Sequence, residues 1–277
     1  MTLGTPRRDH VFVRLARART PTTKLVRGVV GVAAFLLLAE IAVRLAPIST
    51  DYLPPSSAVL GQVAKLLVSG DFLADVAATS WQWVAGLTIA TAVAVPAGVL
   101  LGSVPALRTA TRSLVEFLRP IPPVAMIPLA ILLFGGGAQM KLVLIVYAAV
   151  WPILFNTVYA LQDVDPVAKD TVRAFGFGRL AVLWKVSLPS AAPFIATGVR
   201  VSAGVALILA VSAGLLAGGE SGIGTFIIQA SSGAGNTDLV LAAATLAGVL
   251  GYAGNALLEY AQRRLFGWHF ARNEGQS

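Results

Sequence analysis

The sequence predicts an all-α membrane protein with about six transmembrane helices, and three observations carry that expectation. Hydrophobic residues make up 56% of the 277 positions and charged residues only 12%, about half of the share that a water-facing surface needs. Mean hydropathy is +0.78. Apolar runs of roughly 20 residues, the length that crosses about 30 Å of hydrocarbon, recur along the chain. Lysine and arginine gather in alternate connections between those runs, which is the mark of membrane topology.

The first span runs from Leu25 to Ala46. It follows a basic tail, residues 1–24, that carries Arg7, Arg8, Arg14, Arg17, Arg19 and Lys24. The span is too long for a signal h-region and no small-residue cleavage pattern follows, so tail and span read as retained. Within it Glu40 and Arg44 are four apart and can pair on one face, which lowers the cost of burying either. The outer segment Asp51 to Asp75 opens on Leu53-Pro54-Pro55-Ser56, an extended entry to a short helix.

The second span covers Trp81 to Ser103. The third, Leu114 to Phe134, is broken by Pro120, Pro122, Pro123 and Pro128. Each proline removes a backbone donor, so this span should face protein or a cavity rather than lipid. The fourth covers Lys141 to Leu161, the fifth Ser190 to Ala217 and the sixth Leu239 to Tyr260. The segment Gly218 to Asp238, rich in glycine and serine, joins the last two.

With six spans, the basic tail, Arg108, Arg112 and Arg119, the group Lys169, Arg173, Arg179 and Lys185, and Arg263, Arg264 and Arg272 all fall on one side. The other side has Lys65 and Lys141, with Arg44 near the outer end of span one. Lysine and arginine accumulate in the cytoplasm, so both termini are expected inside a bacterial plasma (inner) membrane. The net charge of +8 therefore reflects topology and not nucleic-acid binding. The chain has no cysteine, and His10 and His269 lie near its opposite ends, so neither a thiolate nor a histidine metal site is expected.

The longest inner loop, Gln162 to Leu188, carries its own structure. Asp163 and Asp165 offer capping oxygens, Pro166 suits a first helical position, and Gly176 can adopt the left-handed conformation that stops a helix. A short helix from Val167 to Phe175 is expected between them. A second, from Arg179 to Ser187, is expected to end at Pro189.

The run Asp170-Thr171-Val172-Arg173-Ala174-Phe175-Gly176, then nine residues, then Val186-Ser187-Leu188-Pro189, resembles the cytoplasmic-loop signature of bacterial ABC importer permeases. Asp-Thr-Val stands where that signature opens Glu-Ala-Ala, and Val186 where it has Ile. Further stretches are similar to the nitrate/sulfonate/taurine-type permeases. They are Arg119 to Leu129, Phe134-Gly135 and Lys141, Pro152 and Asn156-Thr157, Pro193, Gly198-Val199-Arg200, Gly222-Ile223-Gly224 and Trp268. The likeness extends from Leu53 to Phe270. That family often has a glutamate late in span five, around Gly214, and this chain has none there.

The resemblance implies a type I ABC importer transmembrane domain, residues 73–260, with a coupling-helix loop at 162–188 and a cytoplasmic tail at 261–277. It implies a permease that pairs with a second permease copy, as a homodimer, on cytoplasmic ABC ATPase subunits, and that receives cargo from an extracytoplasmic solute-binding protein. Asp170, Thr171, Arg173, Ala174, Phe175, Gly176, Phe177, Leu188 and Pro189 are then the ATPase-coupling residues. No Gly-x-x-x-x-Gly-Lys-Ser/Thr occurs, so no cofactor is expected in this chain and ATP with magnesium belongs to the partner subunit. Polar side chains on the spans, Gln139, Asn156, Thr157, Ser202 and Ser212, are candidates for the translocation path.

Each has a plainer reading. Asn156 can cap a carbonyl freed by Pro152. Ser202 belongs to a small-residue stripe with Gly198, Ala206 and Ala210 that lets a neighbouring helix approach. Arg200 reads as structural, snorkelling to the inner interface. The cargo class that the family suggests is sulfonate-, taurine- or nitrate-like. The alternative readings are a membrane-embedded enzyme or a passive channel. An enzyme would need reactive groups collected at one depth, and a channel has no use for a capped, amphipathic loop.

Overall fold

The computed structural model describes residues 21–45, 52–233 and 235–267, with side chains from residue 26 onward. The basic tail up to residue 20, and Trp268, His269, Phe270 and Arg272, lie outside the described residues. Every described element is helical: α1 Pro21–Leu45, α2 Ser56–Leu66, α3 Gly70–Ser103, α4 Pro105–Leu118, α5 Ile127–Phe134, α6 Ala138–Gln162, α7 Pro166–Ala174, α8 Arg179–Val182, α9 Leu188–Ala217, α10 Ile223–Ser231 and α11 Thr237–Leu265.

Five stretches are long and apolar enough to cross a membrane: Val26–Leu45, Gly70–Ser103, Ala138–Gln162, the continuous Arg179–Ala217 and Thr237–Leu265. The pair Pro105–Leu118 and Pro123–Phe134, bent by 77°, makes the sixth if it counts as one span.

α3, α6 and α9 form the core, because small residues let their backbones meet. A Cβ at Gly98 of α3 would lie 2.6 Å from the Cβ of Thr157 on α6, and one at Gly198 of α9 would lie 2.6 Å from the Cβ of Asn156. Ser202, Ala206 and Ala210 are buried along the same face of α9. The expected stripe is therefore the α6–α9 seam. Trp83 of α3 donates its indole N–H to the Ala203 carbonyl at 2.8 Å, and its ring fills the space beside Gly254 of α11. One side chain thus joins three helices.

Each core helix carries an internal proline: Pro96, Pro152 and Pro193. Side chains add hydrogen bonds to backbone carbonyls near two of these prolines. Ser202 Oγ donates to the Ala149 carbonyl at 2.8 Å, next to the Ala148 carbonyl that Pro152 leaves without its helical donor. Gln262 Nε2 donates to the Pro193 carbonyl at 3.1 Å and to Thr197 Oγ1 at 2.9 Å. Glu40 pairs with Arg44 at 2.7 Å as expected, and also accepts from the Ser57 N–H and hydroxyl, tying α1 to α2.

Three expectations need correction. The helix that carries span two begins at Gly70, not Trp81, because Ser69 caps it, its Oγ accepting from the Phe72 N–H. Span three is broken at its prolines, as expected. α4 ends at Leu118, a 3₁₀ turn covers Pro123–Met126, and α5 follows at a new angle. Pro189 does not end the second loop helix. Leu183–Ser187 form a π turn in which the Leu188 N–H bonds the Leu183 carbonyl, and α9 continues directly. A π turn alters the local pairing, so the missing donor of Pro189 does not break the helix. Finally, Asn156 Nδ2 donates to the carbonyl of Pro152 itself at 2.8 Å, not to the one Pro152 frees.

Candidate functional site

The connection between α6 and α9 is built from local signals. The Asp165 carboxylate accepts from the Val167 N–H at 2.8 Å, and Pro166 opens α7. Asp163 instead closes α6, its N–H bonding the Tyr159 carbonyl. Lys169 Nζ donates to the Leu161 carbonyl at 3.1 Å, holding α7 against the last turn of α6. Thr171 Oγ1 donates to the Val167 carbonyl, and Arg173 pairs with Asp170 at 2.8 Å across one turn. Gly176 has φ +84°. Its N–H bonds the Arg173 carbonyl at 2.9 Å, and the Phe177 N–H reaches the Val172 carbonyl at 3.4 Å. This is the left-handed stop that the sequence suggested.

What α7 lacks is a covering. None of its residues is buried, and Phe175 just beyond it is 79% exposed. Ala174 and Gly176 are exposed beside it. Phe177 differs, because the Lys185 ammonium sits 4.2 Å from its ring centre and holds it within the loop. Leu188 is half-buried at the start of α9, with Pro189 exposed in the same turn.

The polar residues on the spans divide. Thr157 and Ser202 are fully buried, and their hydroxyls are taken up by the carbonyls of Ile153 and Ala149. Asn156 is half-buried and bonded to its own helix. Gln139 is exposed in the first turn of α6, and Ser212 is half-buried on α9. Asn156 and Ser202 meet at the α6–α9 seam and Thr157 packs against Gly98 at the α3–α6 seam, while Gln139 and Ser212 do not join them. Arg200 lies 3.6 Å from Glu259 of α11, both about one-third exposed, which is a structural pairing.

At the other end of the bundle is a cluster that sequence reading passed over. Lys141 is buried and donates to the Ser221 carbonyl at 2.9 Å and to Thr225 Oγ1 at 3.2 Å. Asp75 accepts from the Gly222 N–H at 2.6 Å, and Thr79 from the Ile223 N–H at 2.9 Å. Two α3 side chains thereby cap α10. Gly222, at φ +124°, makes the turn. Gly214 of α9 lies where a Cβ would meet the Thr225 nitrogen at 3.1 Å and Gly224 Cα at 3.2 Å. A glutamate at that point would displace α10. The one available signal was Lys141 itself, a cation on a side with few others.

Residues 94–267 match the family described as binding-protein-dependent transport system inner membrane component. The chain is 32% identical over 270 residues to the taurine transport system permease protein TauC of Escherichia coli, covering 94% of this chain and 96% of that one. It is 29% identical over 191 residues to the nitrate import permease protein NrtB of Leptolyngbya laminosa, 69% of this chain and 68% of that one. Among solved structures, an inward-facing form of the MetNI methionine ABC transporter is similar in fold. The TM-score is 0.52 at 21% identity, over 79% of this chain and 97% of that one.

Proposed function

Because the chain belongs to the family of binding-protein-dependent transport system inner membrane components, we propose that the loop from Gln162 to Leu188 is where an ATPase subunit grips it. The chain is the permease subunit of an ABC importer, a transport protein and not an enzyme. The observation that carries the docking reading is Phe175. A large aromatic is left 79% exposed at the end of a capped, rigid helix that buries nothing of its own. Interfaces draw most of their energy from a few such anchors seated in a pocket, while rim charges such as Asp170 and Arg173 set orientation.

In this reading the loop lies in the cytoplasm with both termini, in a bacterial inner membrane, and residues 73–260 form the transport domain. Two permease copies stand on two ATPases that hold ATP and magnesium, and an external binding protein delivers the solute. Alternating access follows if the ATPases draw together and carry α7 with them, provided the solute binds the two states differently. The cargo is a small solute bearing an anionic group, sulfonate- or nitrate-like, supported by the relatives that carry taurine and nitrate. Gln139 and Ser212 remain as path residues. Ser202 serves the α6–α9 seam and Thr157 the α3–α6 seam.

The test is Phe175→Ala in the assembled transporter. Loss of an anchor costs about 2 kcal/mol or more, roughly thirty-fold in affinity. Solute-stimulated ATP hydrolysis and co-purification of the ATPase should both collapse, while membrane insertion is retained. Unchanged stimulation would sink the docking model.

A further inference from the structure

We propose that the chain carries a binding site for an anionic phospholipid, on its membrane face beside the coupling loop. The inference rests on the cytoplasmic placement of that loop given above. Between the second half of α3, the first turns of α9 and the end of α11 runs a groove of about 1070 Å³, walled by Val99, Leu100, Ile195, Val199, Leu258 and Leu265. Its buried amide, Gln262, is already bonded to Pro193 and Thr197. By itself the groove says little, since any helix surface in a bilayer meets acyl chains.

The loop end of the groove makes the difference. There it runs into a second cavity of about 630 Å³, and Ser103, Val104 and Leu183 line both. The second cavity is lined by Lys169, Arg173 and Arg179, with the hydroxyls of Ser103 and Ser187, and by no aspartate or glutamate. Lys169 commits one of its three donors to Leu161, and Arg173 gives a nitrogen to Asp170. Arg179 makes no hydrogen bond or ion pair among the described residues. At the junction Trp184 lines the groove while 65% exposed, the position of an indole at a membrane–water interface.

An apolar slot that opens onto three cations and two hydroxyls is complementary to a phosphodiester carried on acyl chains. Basic pockets between helices at the cytoplasmic face select anionic headgroups in this way. A headgroup that also carries an ammonium would meet like charge there, so the geometry favours phosphatidylglycerol over phosphatidylethanolamine or phosphatidylcholine.

Native mass spectrometry of the delipidated permease–ATPase complex tests this, titrated with phosphatidylglycerol and with phosphatidylcholine of the same chains. The wild type should retain phosphatidylglycerol several-fold better. Arg179→Gln should lose about five-fold of that preference, the equivalent of one basic contact, and Arg179→Lys should keep most of it. Lys169→Gln provides a second variant should the first not assemble. Equal binding of the two lipids, or an unchanged preference in both glutamine variants, overturns the site. Displacement of bound phosphatidylglycerol by millimolar inorganic phosphate reassigns the basic cavity to a soluble anion and overturns it too. The placement of the loop is checked separately. The chain has no cysteine, so Asp170→Cys gives a unique thiol that an impermeant maleimide should reach only in opened cells. Labelling in intact cells would overturn the topology, while the lipid titration, made in detergent, still decides the site by itself.

Discussion

α6 and α7 are consecutive helices separated by only 163–165, and they live by opposite rules. α6 buries side chains on every turn, from Met140 to Leu161, and packs on both α3 and α9. α7 buries none and stands on its caps: Asp165 at one end, Gly176 at the other and Lys169 reaching back to α6. A nine-residue helix is too short to persist on propensity alone. The chain therefore commits local hydrogen bonds to holding a shape whose apolar surface it never uses. One helix is shaped by what it touches here, the other for something that arrives.

Four substitutions break or sharpen that contrast. Gly198→Leu should have the largest effect on stability. A side chain there drives into Asn156 and the Pro152 carbonyl, at a cost of about 3 kcal/mol, and should be read as a collapse in the yield and melting temperature of purified protein. Normal melting would mean that the α6–α9 seam is looser than drawn.

Gly176→Val should cost about 1–2 kcal/mol locally, because a branched residue is forced to φ +84°. It should abolish solute uptake with little change in melting, since α7 buries no side chain whose packing would be lost with it. A large loss of melting temperature in this variant would erase the distinction between the two helices.

Ser202→Ala is milder, about 0.6–1 kcal/mol, the value of a hydrogen bond between membrane helices. The loss should appear in melting and not in uptake. An uptake defect with normal melting would return Ser202 to the translocation path. Arg173→Ala should do least. Its pair with Asp170 is solvent-exposed, and such pairs are worth about 0–1 kcal/mol. ATPase stimulation should fall far less than in Phe175→Ala.

Much of this architecture was legible because lipid leaves few choices. Apolar runs near 20 residues marked five of the spans, and Asp165, Pro166 and Gly176 located α7 to within a residue at each end. What was not legible depended on distant partners. α10 sits in a stretch of glycine and serine and takes its first N–H bonds from Asp75 and Thr79, 147 and 144 residues away. No local pattern announces such a cap. Pro189 misled for a different reason. As punctuation a proline reads as a stop, yet the π turn before it lets the helix run on through it. Among the path candidates, Thr157 and Ser202 looked available because sequence shows a hydroxyl without showing the carbonyl that consumes it.

The π turn has a mechanical consequence. By fusing α8 to α9 it makes one uninterrupted strut of 39 residues, Arg179 to Ala217, about 58 Å at 1.5 Å per residue and nearly twice the hydrocarbon thickness. Its foot lies beside α7, and at its head Gly214 packs against α10. A strut of that length is a lever arm. A tilt of about 5° at the foot carries the head sideways by about 5 Å, close to the rise of one helical turn. Small displacements at the loop are thus geared up by length alone before any side chain rearranges.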